Sequence, residues 1–129
     1  MSTDSKQYKI LNIASLFIRT FLTILTFLII AFAVMSGSED YGGGLNGVLK
    51  NSPNALPWLL LLAPVIIAWM SERIGGILLC LFGLVLVFFF NTGANFFWST
   101  FFATLSIPIS GSLLWLISYK LKYIPPIGE

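Results

Sequence analysis

Histidine is absent from this chain, cysteine occurs once, and aspartate plus glutamate number only five in 129 residues. Each scarcity removes a class of chemistry. Without histidine the commonest general base and the commonest metal ligand are both missing. A single cysteine, Cys80, cannot close an intrachain disulfide, and a thiol in the middle of an apolar run reads as an inert buried group. No nucleotide-cradling glycine loop and no metal-ligand spacing occur either. The sequence therefore predicts no catalytic residue, no metal and no cofactor, and a non-enzymatic chain.

Charge is scarce as well. Only 9% of residues are Asp, Glu, Lys or Arg, against roughly 25% in an average soluble domain, while 57% are hydrophobic. With a mean hydropathy of +0.93, this composition excludes a water-soluble fold. The net charge of +2 comes from seven basic residues placed mainly at the ends of apolar runs, where they orient a membrane chain instead of binding nucleic acid.

What the chain has in abundance is long hydrophobic runs, at residues 10–35, 56–71, 74–91 and 96–119. Each approaches the ~20 residues that cross ~30 Å of hydrocarbon as a helix. The expected fold is an all-α, four-transmembrane-helix bundle, one domain over residues 1–129, with the lipid bilayer as its first partner. The small-x-small pattern Ala31-Phe32-Ala33 resembles a signal-peptidase site, but an apolar stretch of about 26 residues exceeds the ~7–15 of a signal core, so the first span is expected to stay uncleaved. Lys6 and Lys9 precede span one, Arg73 joins spans two and three, and Lys120 and Lys122 follow span four. The other side has only Lys50. By the positive-inside rule both termini are cytoplasmic in a cell membrane, and residues 36–55 form an extracytoplasmic loop.

Several local expectations follow. Residues 1–7 are polar and read as disordered, with helix one starting near Tyr8 and Lys9. Within the Gly-rich 36–55 loop, Leu45, Val48 and Leu49 fall at the spacing of a short interfacial turn. Trp58 and Trp69 suit opposite headgroup levels, and Pro64 bends span two, which at ~24 Å is slightly short for a bilayer. Gly75 and Gly76 supply left-handed backbone for a tight reversal. Pro108 kinks span four, with Ser106 and Ser110 able to satisfy freed carbonyls. Asn91 and Asn95 read as loop caps, and Pro125-Pro126 stops the last helix. No internal repeat supports an inverted-repeat transporter.

Arg19 is the residue that invites a functional hypothesis, because an ionisable group inside a span is costly. Ser15, Arg19, Thr23 and Thr26 share one helical face, which should point into the bundle. One reading is a site for an anion or polar head group. The other is an arginine that snorkels two turns to the cytoplasmic interface. Glu72 shares its leaflet and is a candidate intramembrane ion-pair partner; alternatively it is a solvated turn residue beside Arg73. As a general acid Glu72 would stand alone. Small residues mark candidate helix-packing positions: Gly76, Cys80 and Gly83 on span three, and Ser99, Ala103, Ser106, Ser110 and Gly111 on span four.

Trp69-x-x-Glu72-x-x-Gly75-Gly76, with Ile107-Pro108-x-x-Gly111-x-Leu113-Leu114 downstream, resembles small bacterial and archaeal four-span membrane proteins of unknown function. The resemblance covers residues 56–119 and implies a four-helix membrane fold without implying an activity. That family pattern often closes its first span with an acidic residue, where this chain has Met35-Ser36. Small multidrug exporters of similar length rely on a glutamate in the first span, where this chain has arginine. Fluoride channels carry a glycine-rich first-span motif ending in an Arg-aromatic pair, which is absent. The leading expectation is a structural or accessory membrane protein, associating with itself or with another membrane subunit. The rival is an oligomeric small-solute or anion pathway built around Arg19.

Overall fold

A computed structural model describes residues 2–124, and these are all-helical, with no strand among them. Helix α1 runs Thr3–Ser36, α2 Gly44–Asn51, α3 Leu56–Met70, α4 Glu72–Asn91 and α5 Trp98–Tyr123. Four helical stretches are long and apolar enough to cross a membrane: Thr3–Tyr41, Gly44–Met70, Glu72–Asn91 and Trp98–Tyr123. The expected stop at Pro125-Pro126 lies outside the described residues.

Helix α1 starts earlier than its composition suggests. The Ser2 hydroxyl accepts from the Ser5 N–H at 3.3 Å, and Asp4 lies in the first turn against the positive end of the helix dipole. That cap and charge carry helix through residues 3–7, which were expected to be disordered. The segment after α1 is also more ordered than a glycine-rich loop implies. A one-turn 3-10 helix at Glu39–Tyr41 leads into Gly42, Gly43 and Gly44, whose φ values of 95°, 68° and 62° lie in the left-handed region open to glycine. Those three residues absorb the reversal. The rest of the segment is then free to form α2 and a second 3-10 turn at Ser52–Ala55 that runs directly into α3. Span two is thus lengthened to the 27 residues of Gly44–Met70.

Between α3 and α4 a single extended residue, Ser71 (φ −147°, ψ 110°), makes the turn, and its hydroxyl accepts from the Ile74 N–H. Gly75 and Gly76 do not supply the reversal; both are ordinary helical residues of α4. Their lack of a side chain serves close approach. A Cβ on Gly75 would run into the Ala68 backbone of α3, and one on Gly76 would come within 2.7 Å of the Gly111 carbonyl oxygen and 2.8 Å of the Trp115 nitrogen on α5. Trp58 is buried and stacks on Phe90 of α4, ring centroids 4.7 Å apart.

The α4–α5 pair forms the most extensive helix interface, followed by α3–α4, with α1 packing more sparsely on α3 and α5. Leu22, Leu61, Leu79, Ile107 and Leu114, one or two from each long helix, are fully buried and make the core. The outer surface is apolar: Phe17, Phe32 and Met70 are more than 70% exposed. Only 17% of the most apolar stretch of α1 is buried, against 39% for α5. Helix α1 is therefore the element with most surface left for something outside the bundle.

Candidate functional site

The polar face of α1 meets the α3–α4 turn. Arg19 directs its side chain back along α1, with Nε donating to the Ser15 carbonyl at 3.4 Å, and Nη2 ends 3.3 Å from Glu72 Oε1. The guanidinium carbon lies 4.8 Å from the ring centroid of Trp69, within cation–π range. Trp69 in turn donates its indole N–H to the Thr23 hydroxyl at 2.9 Å, and Thr23 donates to the Arg19 carbonyl at 2.8 Å. Arg19 and Glu72 are both largely withdrawn from solvent, with side chains 17% and 19% exposed. Glu72 also sits in the first turn of α4, where the helix dipole favours a carboxylate.

This arrangement compensates the charge of Arg19 on the spot. One edge of the guanidinium faces a carboxylate and one face is covered by an indole, which leaves little of it to bind an exogenous anion. Thr26 is buried and donates within its own helix to the Leu22 carbonyl, and Ser15 is buried with its hydroxyl unpartnered.

A second polar clamp holds the C-terminal end of α1. The last turn of a helix leaves carbonyls without intrahelical donors. Here Asn51, at the end of α2, donates its amide to the Ala33 and Val34 carbonyls at 3.0 and 2.8 Å, and Asn54 adds a bond to Ala33 at 3.3 Å. A Cβ on Gly37 would come 2.5 Å from Asn51 Oδ1, so a larger residue there would push on the clamping amide. Asn51 and Asn54 were not singled out in the sequence. An isolated asparagine in a loop carries no signal that its partner is a helix end some seventeen to twenty-one residues upstream.

The packing residues distribute unevenly. Gly76, Gly83 and Gly111 form the tight α4–α5 contact: a Cβ on Gly83 would come 2.6 Å from Pro108 Cδ, and one on Gly111 2.6 Å from the Cys80 nitrogen. Ser110 is buried. Ser106 is half-buried and spends its hydroxyl on the Ala103 carbonyl of its own helix at 2.6 Å. Ser112 donates to the Pro108 carbonyl of its own helix at 2.8 Å, and its hydroxyl also lies 3.3 Å from Cys80 Sγ of α4. Asn91 is not a loop cap but ends α4, donating to Val87 and to the Thr104 hydroxyl of α5. Asn95 is exposed in the connection.

Ser99 and Ala103 border an apolar groove of about 390 Å³ with Ile29, Phe32, Trp58 and Phe90, near the Asn54 end of the bundle. Arg19 has its partners at the opposite end. There, a smaller cavity of about 170 Å³ between α4 and α5 is lined by Arg73, Trp115, Ser118, Tyr119 and Lys122. Among the described residues no cluster of His, Cys, Asp or Glu has metal-binding geometry.

An all-helical chain in which four helices are long and apolar enough to cross a membrane, joined by small-residue contacts and polar clamps, defines the class. The chain belongs to the family of the domain of unknown function DUF7670, which matches residues 4–124. No curated protein and no solved structure matches it.

Proposed function

We propose that the chain is a multi-pass integral protein of the cell membrane with both termini cytoplasmic, and that its role is structural or accessory, not enzymatic. The observation that carries this reading is the internal use of its polar groups. Arg19, the one charge within an apolar run, is neutralised by Glu72 and covered by Trp69, while the outward surfaces are apolar. Exposed aromatic and aliphatic side chains over four helices are suited to lipid, and the sparsely covered α1 is suited to a second copy or another membrane subunit. The basic residues Lys6, Lys9, Arg73, Lys120 and Lys122 favour the cytoplasm for the end that carries both termini. The Trp69-x-x-Glu72-x-x-Gly75-Gly76 segment, which builds the α3–α4 turn and one polar clamp, is the proposed signature of the family.

The test is cysteine accessibility in native membranes, on a Cys80→Ala background, with a membrane-impermeant thiol reagent at positions 15, 19, 23, 106 and 110. Protection at all five is expected. Labelling along both stripes would overturn the reading in favour of an aqueous anion pathway. Retention in carbonate-washed membranes checks integration, and reporter fusions at either terminus check orientation.

A further inference from the structure

We propose that the cavity between the start of α4 and the end of α5 binds the phosphate of an anionic phospholipid, through Arg73 and Lys122. The proposal rests on the membrane reading above. Two cations from different helices converge on one cavity of about 170 Å³, in company with Trp115, Ser118 and Tyr119. Neither has an ion-pair partner among the described residues, where the one ion pair is Arg19 with Glu72. That pairing explains why Arg73 is uncompensated: its neighbour Glu72 is drawn to α1, so the nearest carboxylate in the chain is already committed. On α5, Lys120 and Lys122 lie in a last turn with no acidic residue.

The donor set fits a phosphate. A guanidinium and an ammonium supply charge-assisted hydrogen bonds, and the Trp115 indole N–H and Tyr119 hydroxyl are neutral donors. Ser118 already donates to the Trp115 carbonyl at 2.7 Å, so its hydroxyl is not counted. Field and surroundings then select a lipid over a soluble anion. Among the described residues this end of the bundle carries Lys6, Lys9, Arg19, Arg73, Lys120 and Lys122 against Asp4 and Glu72, whereas the other end carries Lys50 against Glu39 and Asp40. A basic pocket between helices at the positive end of a membrane protein is the setting in which anionic head groups are held. Exposed Ile77 on α4, one turn on from Arg73 along the same helical face, offers an acyl chain an apolar surface leading away from the cavity.

The full chain, purified in detergent and delipidated, is titrated with phosphatidylglycerol or phosphatidylcholine and the bound lipid counted by native mass spectrometry. Preferential retention of phosphatidylglycerol is expected. The R73Q/K122Q variant should weaken it by about thirtyfold, the effect of two interfacial basic residues. R73K/K122R should keep it, and K6Q/K9Q, with the same charge loss outside the cavity, should leave it nearly unchanged. The single variants R73Q and K122Q, each giving an intermediate loss, guard against a misfolded double variant. Equal loss in K6Q/K9Q, or equal retention of both lipids, would overturn the site in favour of diffuse attraction. Binding of inorganic phosphate alone, with competition against phosphatidylglycerol, would overturn the lipid assignment. Release of the chain by carbonate washing would instead defeat the membrane reading, independently of the lipid result.

Discussion

Helices α4 and α5 touch through glycine, and α1 is held by polar side chains at its middle and at its C-terminal end. In the first case backbone meets backbone: Gly76, Gly83 and Gly111 let the helices approach until no Cβ would fit, and dispersion over a long contact does the holding. In the second the interface is sparse, and Arg19 with Glu72 at mid-helix and Asn51 with Ala33 and Val34 at the C-terminal end fix the position of the helix. The difference teaches how one small bundle combines a rigid hairpin with a detachable helix. An atom added to a close-packed contact strains both helices at once, whereas a clamped helix loosens locally when one bond is removed.

The comparison breaks most severely at Gly111. Gly111→Leu should abolish the folded bundle, and Gly111→Ala should cost about 1–3 kcal/mol as overpacking against the Cys80 backbone, read from unfolding in detergent with denaturant. Glu72→Ala, which leaves Arg19 half-buried without a counter-charge, should cost about 2 kcal/mol and raise hydrogen exchange in α1 while α4 and α5 stay protected. Most of that loss should return in Arg19→Leu/Glu72→Leu; no recovery would mean the pair is not what positions α1. Asn51→Ala should cost about 1 kcal/mol, with faster exchange confined to the last turns of α1. Ser106→Ala should change stability by less than about 0.5 kcal/mol, because its hydroxyl serves only its own helix. A large effect there would transfer Ser106 to the close-packed side of the comparison.

How much of this was legible follows the same division. Four long apolar helices and the small-residue positions Gly76, Gly83 and Gly111 could be read directly, since hydropathy and the absence of a side chain are local properties of a sequence. Arg19 and Glu72 could be named as partners only by assuming which helix ends lie together. Trp69 was read as an interface marker, and its hydrogen bond to Thr23 and its cover of Arg19 depend on how α3 is rotated against α1. The Asn51 clamp was invisible because its acceptors are backbone carbonyls, which every residue has. The order in the 36–55 segment was hidden by its glycines, which register as helix breakers although only Gly42, Gly43 and Gly44 act as such.

The Arg19–Glu72 pair also sets a sequence of events in time. Arg19 is synthesised about fifty residues before Glu72, an interval of roughly 3–10 seconds at 5–20 residues per second. Through that interval the first helix exists with its charge unanswered, and its other anchor, Asn51, is still being made for most of it. On the membrane reading proposed above, the oldest span would enter the bilayer with a bare arginine and wait there for the turn that receives it.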